Sequence, residues 1–158
     1  MTIQPTPITN DLRAALRGKR IGALDYGQKR IGFAVADELH ILASPRGFFA
    51  NVNGNAEVLK SELERAFDRE RLGALIVGMP FQHDDTETPM MQEIRGFIRF
   101  LEETFSLPVY IVDEAYSSRE AMRTMIHSGK KKRHRAEKGR ADEVAAALIL
   151  REFLRELS

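Results

Sequence analysis

Asp25 follows the apolar run Ile21-Gly22-Ala23-Leu24. A carboxylate there must be hydrogen-bonded, paired or bound to a metal, because stripping it of water costs kilocalories. Two more acidic groups, Asp113 and Glu114, close a second apolar run, and Asp142 lies in the first turn of a final stretch of helical spacing. Each has a plain structural explanation. Asp25 can cap the turn at Tyr26-Gly27, one of Asp113 and Glu114 can start the turn ahead of Ser117, and Asp142 offsets a helix dipole. Together they describe something else. Carboxylates from a first strand, a last strand and a final helix, converging on one edge of a sheet, make an oxygen-only site suited to Mg²⁺ or Mn²⁺ rather than zinc. Two such ions about 3.5–4 Å apart activate a water and stabilise the leaving oxygen of a phosphodiester.

Other chemistries are poorly supplied. The chain has no Cys, which excludes disulfides, zinc–thiolate sites, iron–sulfur clusters and a Cys nucleophile. His83, His127 and His134 lack metal-ligand spacing, and no Ser pairs with a His in a nucleophilic pattern. Ser117 and Glu120 have the spacing of a capping box. Met90-Met91 and Phe97 with Phe100 suit the buried face of a helix, and Asn53-Gly54-Asn55 reads as a turn.

Charge is unevenly placed. The formal net charge is +1, yet residues 123–140 hold eight basic side chains against Glu137 alone, about +7 in all. Lys130, Lys131, Lys132, Arg133 and Arg135 are candidates for holding a phosphate backbone through charge rather than by reading bases; a solvated basic loop is the plainer alternative. Lys29 and Arg30 flank the first hairpin turn and are further candidate phosphate contacts.

The elements that must position these groups follow from periodicity. Residues 1–18 read as an N-terminal tail with one helical turn near 11–16, and 19–158 as a single domain. Apolar runs at 20–26, 30–37 and 41–49, the first two joined by Gly27-Gln28-Lys29, predict an antiparallel meander. Helical spacing follows over 56–71, then a short buried strand at 74–77. Thr88-Pro89 opens a helix to about 105, and a strand covers 108–112. A helix over 117–127, a basic loop over 129–139 and a last helix over 141–157 complete the chain. The order β-β-β-α-β-α-β-α-α predicts an α/β fold, a mixed sheet with helices on both faces. Its 158 residues suffice to bury a core without covalent staples. No run approaches a membrane span and no signal-peptide pattern opens the chain, so the expected compartment is the cytoplasm.

The stretch from Ala23 to Ala34, with its Asp25-Tyr26-Gly27 and Lys29-Arg30-Ile31-Gly32, resembles the opening motif of the YqgF/RuvX-like family of Holliday junction resolvases, within the ribonuclease H-like superfamily. Val77-Gly78-Met79-Pro80 with Asp84-Asp85-Thr86-Glu87, Val112-Asp113-Glu114 with Ser117-Ser118, and Asp142-Glu143-Val144-Ala145-Ala146 resemble its second, third and fourth motifs, in the family's order. The resemblance implies a ribonuclease H-like domain whose five strands include an antiparallel meander of three. It also implies a divalent-metal nuclease whose catalytic and metal-binding triad falls on Asp25, Glu114 and Asp142. Processing of the 5′ end of pre-16S rRNA is the implied activity, with resolution of four-way DNA junctions as the alternative. The chain departs from the family's usual Gly at Asp85 and from its usual Arg at Ala115. Asp tolerates a left-handed backbone; the loss of Arg removes a phosphate or carboxylate partner.

Three function classes compete. The first is a nuclease in which water attacks phosphorus in line, leaving 5′-phosphate and 3′-hydroxyl ends. The second is a non-catalytic nucleic-acid-binding module, and the third a nucleotide phosphotransferase, which needs a second lobe that this length does not provide. The expected partner is pre-rRNA or branched DNA. Cutting a junction symmetrically takes two sites, hence normally a homodimer.

Overall fold

A computed structural model describes residues 3–52, 54–114 and 135–158, with the backbone alone for 135–139. The elements are α1 (Asn10–Leu16), β1 (Arg20–Asp25), β2 (Arg30–Ala36), β3 (Ala43–Ala50), α2 (Ala56–Glu70), β4 (Leu72–Met79), α3 (Pro89–Thr104), β5 (Val109–Asp113) and α4 (Arg135–Leu157). One five-stranded sheet has the order β3-β2-β1-β4-β5. β1 pairs antiparallel with β2, and β2 with β3, while β4 runs parallel to both β1 and β5. The expected mixed α/β sheet, three strands in a meander and two parallel, is what forms.

Strand alternation divides the core in two. Leu24, Phe33, Leu75 and Val77 face one side, where Leu63 and Phe67 of α2 and Ile94 and Phe97 of α3 cover them. Ile21, Ala23, Ala34 and Ile76 face the other, under Ala146, Leu150 and Phe153 of α4. The central strands are therefore buried on both faces, which explains their continuous apolar runs. Thr88 caps α3 as its Thr-Pro pair predicts, its hydroxyl accepting from Met91 N at 3.2 Å. Thr9 does the same for α1 at 3.1 Å. The segment before β1 packs down: Leu12 and Leu16 are buried under α4, Thr6 exchanges two 2.8 Å hydrogen bonds with Ile111, and Arg13 Nε donates to Leu157 O at 2.9 Å.

β4 runs two residues beyond the expected 74–77 at each end, and two further boundaries differ from expectation for physical reasons. β3 begins at Ala43 rather than 41, because Asp37 takes the preceding amides into a turn: Oδ1 accepts from Ile41 N and Leu42 N at 2.9 Å, and Oδ2 from Leu39 N at 3.2 Å. Leu39, Ile41 and Leu42 are left exposed. The second difference is α4, which reaches back to Arg135 through residues expected to be loop. Arg, Ala, Glu and Lys are good helix formers, so a basic composition there does not end the helix. The helix expected over 117–127 and the rest of the basic loop, 129–134, lie outside the described residues.

The amides of Leu42 above all, with those of Ile41 and Leu39, hold the Asp37 carboxyl below its ordinary value of 3.8. A depressed folded-state pKa stabilises the fold above the unfolded value, and that contribution is lost as pH falls through the folded one. Asp37→Ala is expected to cost about 0.5–2 kcal/mol at pH 7, as loss of a capping side chain does. The difference between the two proteins, measured by denaturant titration, should shrink as pH is lowered below 4; a gap unchanged at pH 2 contradicts it.

Candidate active site

β1 ends at Asp25, and alternation puts its side chain on the α4 face with Ile21 and Ala23. Across the meander it pairs with Gly32 of β2. On its other side it lies one residue beyond the parallel pair Leu24–Val77, level with Gly78. Gly32, Asp25 and Gly78 thus form a row across three strands, and the two glycines admit the other two carboxylates. α4 lies so close over β2 that a Cβ at Gly32 would stand 2.1 Å from Asp142 O. A Cβ at Gly78 would stand 3.1 Å from Glu114 Oε2. Glu114 is drawn in at the end of β5, where its N–H donates to Met79 O at 3.0 Å.

Asp25, Glu114 and Asp142 are 1%, 4% and 6% exposed, and they are the three buried polar side chains among the described residues. Of the adjacent acidic pair, Glu114 is buried, while Asp113 is the exposed last residue of β5, paired with Met79. Arg30 lies in the same place: its Nε donates to Asp142 Oδ2 at 2.9 Å, with both side chains mostly covered. Lys29 is exposed at the hairpin tip. Lys130, Lys131, Lys132 and Arg133 fall outside the described residues, as does Ala115; Arg135 starts α4, and its backbone alone is described. Glu143, next to Asp142, accepts from Gly47 N and ties α4 to β3.

The donor set is all oxygen, which suits Mg²⁺ or Mn²⁺. Among the described residues no three acidic or imidazole groups form a ready cage for a metal ion. That is compatible with Mg²⁺, which usually takes one or two carboxylates and completes its shell with water and substrate phosphate oxygens. Burying three carboxylates together is costly unless positive charge joins them; Arg30 supplies one such charge from within the chain.

The loop after β4 carries the chain's departure at Asp85, whose φ of 61° lies in the left-handed region that glycine or a short acidic residue tolerates. Thr86 braces it, its N–H donating to Asp84 Oδ1 at 3.0 Å. Contacts from Thr86, side chain first and backbone second, hold the Asp84 carboxyl below its ordinary value.

Behind the same sheet end lies a cavity of about 340 Å³, lined by Tyr26, Asn51, Asn55, Glu93, Phe97 and Phe100. Phe97 is the buried helix residue its spacing predicts, but it also walls this space, as do Asn51 and Asn55 beside a segment expected to be only a turn. The isolated Gly96 inside α3 was the available signal. Gly32 and Gly78, named above only within their motifs, carried a further signal, since a glycine within a strand marks close approach of another group.

Comparison with known proteins follows the same lines. A family profile described as "RuvX: Holliday junction resolvase" matches residues 19–156. A protein of Chlorobium luteolum is 40% identical over 138 residues, 87% of this chain and 94% of its own. One of Christiangramia forsetii is 38% identical over 138 residues, 87% and 98%. Both are named "Putative pre-16S rRNA nuclease". Among solved structures, Thermus thermophilus RuvC in complex with Holliday junction substrate superposes with a TM-score of 0.52 at 15% identity, over 85% of this chain and 93% of that one. The fowlpox virus Holliday junction resolvase does so with a TM-score of 0.50 at 14% identity, over 86% and 98%. At these identities the two structures speak for the fold, a resolvase-like sheet with its helices.

Proposed function

The chain belongs to the RuvX family, and from that premise we propose that residues 19–158 form one nuclease domain that hydrolyses phosphodiester bonds in structured nucleic acid, with pre-16S rRNA as its substrate. The observation that carries this reading is the burial of three carboxylates, and of no other polar side chain among the described residues, at one end of one sheet face. A core has no use for three buried carboxylates at one sheet end, whereas a phosphoryl-transfer site has one.

In this reading Asp25, Glu114 and Asp142 hold the divalent metal, Mg²⁺ or Mn²⁺. When bound, it polarises the phosphodiester and lowers the pKa of the attacking water. The chain's own groups do the rest. Asp25 is fixed by the β1 ladder, Glu114 by its amide bond to Met79, and Asp142 by the seating of α4 on Gly32. Arg30 orients Asp142 and offsets its charge. Lys29 at the hairpin tip, with Lys130, Lys131, Lys132, Arg133 and Arg135, takes the role of gripping the phosphate backbone.

No helix among the described residues is long and apolar enough to cross a membrane. In this reading the protein works in the cytoplasm. A homodimer is needed only if the substrate is a four-way junction.

The test is cleavage of a labelled pre-16S rRNA and a four-way DNA junction side by side, with Mg²⁺ or Mn²⁺, by the wild type and Asp142→Asn. RNA cleavage lost in the variant is expected. Junction cleavage alone, lost in the same way, would move the protein to DNA. Tight binding of both without turnover would leave a binding module and remove the enzyme.

A further inference from the structure

We propose that the cavity beside Tyr26, Phe97 and Phe100 receives an unpaired nucleobase of the substrate strand, a proposal that rests on the nuclease reading above. Tyr26 follows Asp25 directly, so the two side chains leave the end of β1 toward opposite faces. A strand laid across that end presents a phosphate to the carboxylates on the α4 side and can drop a neighbouring base on the other.

The lining suits a base. Tyr26 and Phe97 have ring centroids 5.1 Å apart, and Phe97 and Phe100 stack at 6.2 Å with 21° between their planes. Asn51, Asn55 and Glu93 add amide and carboxylate groups, the types that pair with the polar edge of a base, to the lining. Two of these are already braced: Asn51 Nδ2 donates to Gly27 O at 2.7 Å, and Glu93 Oε2 accepts from Gln28 Nε2 at 2.9 Å. Both contacts reach the hairpin that follows Asp25, so the cavity and the carboxylate row share one support. Among the described residues no Lys or Arg lines the space while a Glu does, which disfavours a phosphate as occupant and favours an uncharged ring.

Gly96 is the independent observation. It sits in the interior of α3, where glycine destabilises relative to alanine. Close packing does not demand it, because a Cβ at Gly96 would meet nothing within 4 Å. What a larger side chain would fill there is the cavity. A mid-helix glycine that keeps a pocket open fits a site that must admit a flat ring. Unstacked bases are also what sequence-tolerant recognition of single-stranded RNA commonly grips, through aromatic stacking.

The probe is an RNA hairpin with a single-stranded extension, and a set of the same RNA with one abasic sugar walked through the extension. Binding is read by fluorescence anisotropy without divalent metal, so cleavage does not enter. For the wild type, one abasic position should weaken binding by roughly 5- to 150-fold, the range of one base–aromatic stack. Gly96→Leu should bind the intact RNA as weakly as the wild type binds that abasic one, with no further loss at the abasic position and a melting temperature at least as high. Phe100→Ala should show the same flattening. The proposal is overturned if no abasic position matters to the wild type, or if Gly96→Leu keeps the full dependence. Its failure is separable from that of the nuclease reading: a base-dependent pocket in a protein that cuts nothing removes the enzyme and keeps the pocket, while cleavage without base dependence does the reverse.

Discussion

Asp25→Asn is expected to cut metal-dependent turnover by more than the 10–100-fold that substitutions outside a metal's own ligands typically cost. Asparagine keeps the shape of the side chain, and thus the β1–β2 pairing with Gly32, but removes the charge. The fold should not suffer. Asp25 is 1% exposed and ends β1 level with Gly32 and Gly78, so the isosteric amide keeps its place in the ladder. The expected pair of results is a melting temperature within a few degrees of that of the wild type and a nearly dead enzyme. A variant that cleaves at the wild-type rate contradicts the assignment of Asp25, whatever the substrate. A variant that unfolds would instead show that Asp25 acts as a structural cap.

The second large effect is expected from one methyl group. At Gly32 an added Cβ would stand 2.1 Å from Asp142 O and 2.4 Å from Asp142 C, both backbone atoms that no rotamer change can move aside. Gly32→Ala must therefore push α4 away from β2. Overpacking of this kind costs about 1–3 kcal/mol, and each kcal/mol lowers the melting temperature by about 2–4 °C in a chain of this size. Activity should fall further than stability, because a displacement of about 1 Å at a catalytic group can cost a hundredfold. Gly96→Ala is the matched control. The same methyl there meets open space inside a helix, so it should stabilise, by up to about 1 kcal/mol. If both substitutions behave alike in thermal melts, the close seating of α4 on β2 is wrong.

The carboxylate row was largely legible in the sequence because each member sits at an element boundary that periodicity marks. Asp25 ends an apolar run, Glu114 follows another, and Asp142 opens a helical repeat. The strands themselves were legible for the same reason: a segment buried on both faces is apolar throughout, and β1, β2 and β4 are. What periodicity does not encode is approach between elements. The partnership of Arg30 with Asp142 joins residues 112 apart, where spacing offered Arg30 only as a candidate phosphate contact beside the hairpin turn. The start of β3 was misplaced because a carboxylate four residues upstream of Ile41 competes for the amides of the expected strand. The start of α4 was misplaced because charge was read as loop where backbone propensity favours helix. The cavity was missed for a different reason: Phe97 does belong to the core, and nothing in its spacing tells that one flank of it faces space.

The seating of Asp142 has a kinetic side. The contact that fixes Asp142 to Arg30 closes a loop of more than a hundred residues, and Arg13 is joined to the far end of the same helix at Leu157 across 144. Non-local contacts of this order slow folding, since chain entropy is lost before they repay it. The β1–β2 hairpin has a local register and can form early, whereas the seating of α4 waits for distant parts of the chain to meet. A chain with the hairpin formed and α4 undocked would hold Asp25 in place without Asp142 beside it, so opening of this one helix is expected to separate the two carboxylates.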